Sequence, residues 1–452
     1  MKILFISYIL IISYTHCFSQ NLKSVDWPNW RGPTHNGSSA ESGLLPSSFD
    51  HKKNVKWKTQ MPGPSAATPI VVGNKVFVSS ILVPAKSNNP SEGKLIALCV
   101  NRENGEIIWQ NEAGSGYRPS GDGFDYKLDS KSNYASPSPV SDGKVVVFFY
   151  GNGDLVCYSL SGEEIWKRNI QKDYGDFCFQ WTFSASPTFM EGNLYLPVLQ
   201  RDEPVHGRGK PSSDSYILSI NSGNGKTIWK HTRPSNAKKE SLESFGTIIP
   251  HDDQLIIAGG DVITGHDPKS GDEIWRWGTW NPGHKQEWWR LVPSPVFGDG
   301  VFLVCAPKKA PIFAVKEGLV GTHEGDIGLR WNTMQQGDLT SDVPTPLFYD
   351  GKFYILSDLK KVLTRVDPKT GRAEWNLNLP GKYKWRASPT AGNGMIYTMN
   401  HNAEVLVVSS ETGTVLNFAK MGSEYEDNVR SSIAISGTNL FIRTNENLYC
   451  IE

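Results

Sequence analysis

Four side chains in the long segments of this chain are of types that can act on an anionic substrate. They are Tyr134, His206, Arg386 and Arg430. A phenol or an imidazole can transfer a proton, and a guanidinium group can stabilise negative charge that develops beside a carboxylate. We therefore predict that these four residues are catalytic.

A second set of aromatic and basic residues lies in the same long segments and is predicted to bind the substrate. Its members are Trp181, Arg208, His284, Arg290, Trp385 and His401. Aromatic walls combined with guanidinium groups suit a sugar that carries a carboxylate or a sulfate. Each of these residues also has a structural interpretation, because an arginine at the edge of a sheet often pairs with a neighbouring aspartate.

The cysteines and motifs argue against metal, phosphate and acyl-transfer chemistry. The five cysteines after Cys17 are odd in number and irregular in spacing, which is typical of neither a disulfide framework nor a metal site. The chain contains no Gly-x-Ser-x-Gly, no His-Glu-x-x-His and no phosphate-binding loop. We predict that no metal is bound.

The elements that must position these residues follow from one unit that recurs along the chain. The unit opens with Ser/Thr-Pro and an alternating strand, turns at a glycine and later shows Gly-x-x-x-Trp. Six openings are clear, namely Thr68-Pro69, Ser136-Pro137, Ser186-Pro187, Ser294-Pro295, Thr345-Pro346 and Ser388-Pro389. Two degenerate openings lie near Ser244 and Ser431. Turn dipeptides such as Asp142-Gly143 follow the openings and supply the positive φ of short hairpins.

Eight units of this kind predict an all-β fold, a single eight-bladed β-propeller. One four-stranded sheet cannot bury both of its faces alone, so neighbouring units must pack against each other. The eighth unit ends at Glu452, one strand short, whereas Val55–Lys58 supplies a strand ahead of the first opening. We predict that this N-terminal strand completes the last blade and closes the ring over residues 55–452.

The repeat resembles the PQQ-like (pyrroloquinoline-quinone-like) propeller repeat family over residues 55–452. The segment Trp27–Pro33 is similar to the leader of secreted members. The resemblance implies relatives among quinone-dependent alcohol dehydrogenases, the outer-membrane assembly lipoprotein and secreted proteins of unknown activity. It also implies that the dehydrogenases are longer and hold the quinone against a vicinal disulfide. This chain has no adjacent cysteines, so we expect no cofactor and no bound PQQ.

Loop lengths separate the two faces of the predicted ring. The loops between blades, and those between second and third strands, hold nearly all of the excess sequence, and long loops on a rigid scaffold commonly carry function. Side chains two residues before each inner strand are expected to point into the central funnel. These positions hold Tyr134, Ser184, Val292, Val343, Arg386 and Arg430.

The function that we predict is β-elimination on oligosaccharides containing uronic acid, with or without sulfate, by a carbon–oxygen lyase. Neutralising the uronate carboxylate lowers the free energy of the enolate-like charge that forms when the neighbouring proton is removed. The alternative is a non-catalytic binding or scaffold propeller similar to the outer-membrane assembly lipoprotein. A quinoprotein dehydrogenase is the least favoured interpretation.

Composition and the N-terminal segment indicate where the protein acts. Lys2 is followed by an apolar run and then by small residues near Ser19. This pattern predicts a signal peptide over residues 1–19 and export to the periplasm or the cell exterior. Residues 20–54 are predicted to form a leader. A lipid anchor at Cys17 is less favoured, because the residues before it make a poor lipobox. Lys plus Arg and Asp plus Glu both number 46, so we expect no nucleic-acid partner. We further expect a monomer with no membrane span and an acidic oligosaccharide as its partner.

Overall fold

The computed structural model describes residues 22–39, 42–84, 89–119, 132–337 and 339–452. The predicted signal peptide, residues 1–19, lies outside the described residues. The described chain forms eight antiparallel sheets of four strands, one of them extended by a fifth strand. The prediction of an all-β, eight-bladed propeller is confirmed.

The first four blades follow the chain from residue 70 onward, after strand β1 (Val55–Gln60). Blade one contains β2 (Ile70–Val72), β3 (Lys75–Leu82), β4 (Lys94–Asn101) and β5 (Ile107–Ser115). Blade two contains β6 (Val140–Ser141), β7 (Val145–Phe149), β8 (Asp154–Ser159) and β9 (Glu164–Asn169). Blade three contains β10 (Thr188–Met190), β11 (Asn193–Val198), β12 (Tyr216–Asn221) and β13 (Thr227–Thr232). Blade four contains β14 (Ile249–His251), β15 (Gln254–Gly259), β16 (Val262–His266) and β17 (Glu273–Gly278), with β21 (Gly321–His323) added in parallel to β17.

The second half of the ring repeats the pattern. Blade five contains β18 (Val296–Gly298), β19 (Val301–Cys305), β20 (Ile312–Lys316) and β22 (Leu329–Asn332). Blade six contains β23 (Leu347–Tyr349), β24 (Lys352–Ser357), β25 (Val362–Val366) and β26 (Ala373–Asn378). Blade seven contains β27 (Thr390–Gly392), β28 (Met395–Met399), β29 (Glu404–Ser409) and β30 (Val415–Lys420). Blade eight contains β31 (Ala434–Ser436), β32 (Asn439–Arg443) and β33 (Asn447–Ile451).

Helical structure is confined to short loop segments of the described chain. One α-helical segment, α1, spans Ile170–Tyr174, and three 3₁₀ turns span Pro90–Glu92, Lys239–Leu242 and Pro282–His284.

The ring is closed by the N-terminal strand, as predicted. Strand β1 pairs antiparallel with β33, with Trp57 opposite Cys450 and Thr59 opposite Leu448. Trp57 is 7% exposed, and its indole N–H donates to the carbonyl of Arg102 in blade one at 2.7 Å. The two ends of the propeller are therefore joined within one sheet.

The Gly-x-x-x-Trp motif joins neighbouring blades. A Cβ atom added to Gly105 would lie 2.7 Å from the Trp57 ring of the preceding blade, and one added to Gly162 would lie 2.7 Å from Trp109. The same relation holds for Gly225 with Trp166, Gly271 with Trp229, Gly371 with Trp331 and Gly413 with Trp375. Only glycine leaves room for the ring of the blade before it, and this explains why the two residue types recur together.

A closed belt of eight hydroxyl groups surrounds the central channel. Each accepts a hydrogen bond of 2.8 to 3.2 Å from the backbone N–H of the corresponding residue in the preceding blade. The belt residues are Thr68, Ser138, Ser186, Thr247, Ser294, Thr345, Ser388 and Ser432. The Ser/Thr of five predicted openings therefore has a structural function, because it links one blade to the next; these are Thr68, Ser186, Ser294, Thr345 and Ser388.

We expect Ser432→Ala to destabilise the propeller by about 1–3 kcal/mol, because the buried N–H of Ser388 loses its acceptor. Differential scanning calorimetry measures this as a lower Tm. Ser432→Thr is the matched control, since threonine occupies the belt at Thr68, Thr247 and Thr345, and it should retain the parental Tm. Equal destabilisation by both variants would contradict a role for the hydroxyl.

The segment ahead of β1 crosses the face that carries the first hairpin turns. Its backbone contacts join Trp27 to Val71 in blade one, Pro28 to Ser141 in blade two, Asn36 to Phe348 in blade six and Ser39 to Ala391 in blade seven. Between blades two and six the segment passes beneath the channel. We call residues 25–39 the plug, because they close the channel on this face.

Candidate functional site

The central channel opens into a cavity of about 220 Å³ on the face of the interblade loops. We call this cavity the funnel. All eight side chains two positions before the belt residues line it, namely Ala66, Ser136, Ser184, Phe245, Val292, Val343, Arg386 and Arg430. Five belt hydroxyls, of Ser138, Ser186, Thr247, Ser388 and Ser432, line it as well. Trp30 of the plug contributes the floor, and Ser132, Trp181, Thr182 and Arg290 complete the lining.

The funnel has one side lined by Arg386 and Arg430 and another lined by aromatic rings, and Arg290 lies next to Phe245. Arg290, Arg386 and Arg430 come from the segments that precede blades five, seven and eight. Trp181 and Phe245 come from the segments that precede blades three and four. A flat ligand with several negative charges would match both sides at once.

Two buried carboxylates hold two of the three guanidinium groups. Arg290 donates to both carboxylate oxygens of Asp342 at 3.1 and 3.2 Å. The Nε of Arg386 donates to Asp358 at 3.1 Å, and the backbone N–H of Asp342 donates to Asp358 at 3.3 Å. This chain of contacts fixes the directions in which both arginines point.

Burial and neighbouring charges shift the pKa values of the ionisable groups on the arginine side of the funnel. Burial, and then the nearby charge of Arg386, lower the pKa of Arg430 to about 9. Burial raises the pKa of Asp358 against the opposing effect of Arg386. Burial alone would raise the pKa of Asp342, but the charge and hydrogen bonds of Arg290 oppose this effect, and the net pKa is lowered. An anionic ligand would interact favourably with these guanidinium groups.

Four of the ten predicted site residues line the funnel: Arg386, Arg430, Trp181 and Arg290. Tyr134 does not, and its placement in the funnel is corrected. The belt residue of blade two is Ser138, so the funnel position two residues before it is Ser136. The sequence Ser136-Pro137-Ser138-Pro139 contains the opening signal twice, and the second copy sets the register of the blade. Tyr134 packs against Gly151 instead, and burial raises the pKa of its phenol to about 12.

His206 and Arg208 belong to a cluster formed by the loops around blade three. The Nε2 atom of His206 lies 2.8 Å from the side-chain nitrogen of Gln180, and Arg208 donates to the carbonyl of Phe179 at 3.1 Å. Arg201 in the same cluster is paired with buried Glu243. These contacts order the loops, and neither His206 nor Arg208 is part of the funnel lining.

The other three predicted binding residues also lie outside the funnel lining. The Nδ1 atom of His284 is 2.9 Å from Asp261, which is itself fully buried. Trp385 is fully buried and donates to the carbonyl of Pro380 at 3.1 Å, so the prediction that it binds substrate is corrected to a core residue. His401 is 8% exposed, and its backbone N–H donates to the carbonyl of Lys384.

Sequence reasoning missed three parts of the lining. Phe245 lies two residues before Thr247, the belt residue of blade four. The degenerate opening predicted near Ser244 does not show this register. The belt hydroxyls were visible as repeat openings, but no pattern indicated that they face a cavity. Trp30 reaches the funnel from the plug, and no local signal in the leader predicts that path.

The side chains that line the funnel limit the kinds of cofactor that it could bind. No group of three or more metal-ligating side chains occurs in the described ranges. The five described cysteines are buried and unpaired, and none lines the funnel. The funnel residues fit a polyanion through their charge, and fit a flat ring through Trp30, Trp181 and Phe245.

A family model described as outer membrane protein assembly factor BamB matches residues 48–196, 93–318 and 325–452. These ranges cover the whole propeller apart from a short gap. The chain belongs to this PQQ-like repeat family. Within the part that the structure describes, no helix is long and apolar enough to cross a membrane.

Curated relatives of this family member include two polyvinylalcohol dehydrogenases. One, from Pseudomonas sp, is 24% identical over 45% of this chain and 28% of its own length. The other, from Sphingopyxis sp., is 20% identical over 49% of this chain and 31% of its own length. The chain therefore matches less than a third of the length of either relative.

Solved structures share the fold at low sequence identity. A europium-containing methanol dehydrogenase superposes with a TM-score of 0.64 at 10% identity, covering 93% of this chain and 89% of its own. A quinohemoprotein alcohol dehydrogenase from Comamonas testosteroni gives 0.63 at 12% identity over 96% and 81%. BamB from Moraxella catarrhalis gives 0.58 at 11% identity over 88% and 99%.

The prediction of a carbon–oxygen lyase acting on uronic-acid oligosaccharides is wrong. The relatives with a named activity are dehydrogenases. The physical reason for the error is that guanidinium groups beside aromatic rings suit any flat or ring-shaped organic anion. They do not by themselves select proton abstraction from a uronic acid.

Proposed function

We propose that the funnel binds a planar aromatic polycarboxylate of the pyrroloquinoline quinone class and that the protein is an alcohol oxidoreductase. The observation that carries this proposal is the two-sided lining, with Arg386 and Arg430 on the part of the ring opposite Trp181 and Phe245, and Arg290 next to Phe245. Pyrroloquinoline quinone is a flat fused ring that bears carboxylates, so it presents both kinds of surface. The names of the curated relatives, polyvinylalcohol dehydrogenases, support the choice of reaction.

In this proposal each part of the lining has a separate task. The guanidinium groups of Arg386 and Arg430 would bind carboxylates of the ligand. The hydrogen bond from Arg386 to Asp358 holds the Arg386 side chain in one orientation. The belt hydroxyls of Ser388 and Ser432 accept backbone N–H bonds and retain their own hydrogens, which could donate to ligand oxygens. The Trp181 and Trp30 rings cover the ligand faces and exclude water. When bound, a quinone would supply an acceptor for the two electrons that an alcohol gives up on oxidation.

This proposal reverses the sequence-based expectation that no quinone is bound. That expectation depended on the missing pair of adjacent cysteines, which would contact one face of the ring. The funnel offers indole and phenyl rings for stacking and three arginines for charge, so the contacts that bind the ligand come from other residues.

We expect added pyrroloquinoline quinone to quench tryptophan fluorescence and to raise the Tm. A ligand that binds only the folded state stabilises it by about 2.7 kcal/mol at a hundredfold excess over Kd. Dye-linked oxidation of simple alcohols and of polyvinyl alcohol, with and without calcium or a lanthanide, tests the activity. A saturating titration with neither quenching nor a Tm shift would overturn the proposed ligand.

A second candidate function is a non-catalytic binding propeller. It is favoured by the family model, whose description is an assembly factor and whose matches extend over the propeller, whereas the curated dehydrogenases match about half of the chain. Ligand binding without alcohol oxidation would support this candidate. Export to the periplasm or the cell exterior and a monomeric state are part of both proposals.

A further inference from the structure

Arg31 is a cation buried inside the plug. Its side chain is 2% exposed, and burial lowers the pKa of its guanidinium to about 9. Nη2 donates to the carbonyl of Pro346 at 2.9 Å and to that of Asn36 at 3.3 Å. Nε and Nη1 are buried without a hydrogen-bond partner. A guanidinium group stays charged in proteins, so its remaining N–H groups require an acceptor.

Arg233 shows how the same chain satisfies a buried arginine elsewhere. It is also 2% exposed, and burial lowers its pKa to about 9. Its three nitrogens donate to the Thr264 hydroxyl and to the carbonyls of Gly259 and Val262, each at 2.9 Å. Arg31 therefore lacks partners at two guanidinium nitrogens, whereas all three nitrogens of the equally buried Arg233 are satisfied.

A small cavity lies against Arg31, between the plug and the inner strands of blades three to five. Its volume is about 10 Å³, which is room for about one water-sized particle. Besides Arg31, its lining includes Asn29, His35 and the belt hydroxyls of Thr247 and Ser294. Each of these two hydroxyls accepts a backbone N–H and retains its own hydrogen to donate.

The charge around this cavity is positive. Burial lowers the pKa of His35 to about 4, so its ring is neutral at pH 7 and neither adds to nor balances the charge of Arg31. No carboxylate of the described chain forms an ion pair with Arg31 or lines the cavity. A water molecule could accept hydrogen bonds here but would leave the charge unbalanced. Sulfate and carboxylate ligands exceed the size of the cavity.

We propose that a single halide ion, chloride under ordinary conditions, binds in this cavity to Nε and Nη1 of Arg31. The ion would accept from the Arg31 guanidinium and from the Thr247 and Ser294 hydroxyls. It would join the plug to the belt directly below Trp30, because Trp30 and Thr247 line both this cavity and the funnel. The halide is a structural ligand that holds the floor of the funnel in place.

The test is the dependence of the Tm on halide at constant ionic strength, with chloride replaced by methanesulfonate. We expect the Tm to rise by roughly 2 °C for each tenfold increase in chloride above Kd. Bromide should act like chloride, and a bromide-soaked crystal should show anomalous scattering beside Arg31. An equal Tm in both salts, or no bromide beside Arg31, would overturn the proposal.

Matched variants separate this site from general salt effects. Arg31→Met should abolish the difference between chloride and methanesulfonate, because it removes the charge that selects an anion. Arg233→Met removes an equally buried arginine whose partners are complete, and it should lower the Tm while keeping the chloride dependence. A chloride dependence that survives Arg31→Met would also overturn the proposal. If that variant does not fold, the bromide position alone decides.

Discussion

A chain that lacks Val55–Gln60 is expected to lose cooperative unfolding, because this segment is the fourth strand of blade eight. Removing the Trp57 wedge alone costs about 3–5 kcal/mol, and each lost backbone hydrogen bond to β33 costs about 1 kcal/mol more. The sum is comparable with the 5–15 kcal/mol that stabilises a typical domain. Circular dichroism and calorimetry should therefore show a broad, early transition or none.

The fifth strand of blade four provides the matched control for this deletion. Strand β21 is also an outer strand, but it adds to a sheet that already has four strands and does not close the ring. Replacing Gly321–His323 by a short glycine and serine linker should leave the Tm within a few degrees of the parent. A chain without β1 that unfolds as cooperatively as the parent would contradict closure by the N-terminal strand.

The fold was predictable because its contacts repeat at fixed positions in every unit. The motif glycine of one blade packs on the tryptophan of the preceding blade, as Gly162 does on Trp109, and both residue types recur in the Gly-x-x-x-Trp signal. The missing strand of blade eight followed from counting strands at the two ends of the chain. Each of these inferences uses local patterns and the need to bury both faces of a sheet.

The funnel was predictable where the register of the repeat was clear. Arg386 lines the funnel as predicted because it precedes a clear Ser-Pro opening, and Arg430 lines it although its opening is degenerate. Tyr134 was misplaced by two residues at a doubled Ser-Pro signal. Trp30 was missed because the plug approaches from the opposite face, and such a long-range path leaves no local pattern. The reaction was not predictable, because arginines and aromatic rings specify the charge and shape of a ligand but not its chemistry.

Arg430→Met is expected to weaken binding of pyrroloquinoline quinone. One charge-assisted hydrogen bond contributes about 1.5–3 kcal/mol, so Kd should rise by roughly 10- to 150-fold. Fluorescence titration measures Kd, and calorimetry checks that the variant folds.

Arg386 and Arg365 give the contrasts that separate a binding role from a structural one. Arg386→Met should weaken binding and also lower the Tm, because it leaves the buried Asp358 carboxylate without its partner. Arg365→Met, on the outer part of blade six beside Glu374, should leave Kd unchanged. A ligand that binds the Arg430 variant as tightly as the parent does not contact that guanidinium. Binding of the quinone elsewhere on the propeller would then replace the funnel as its site.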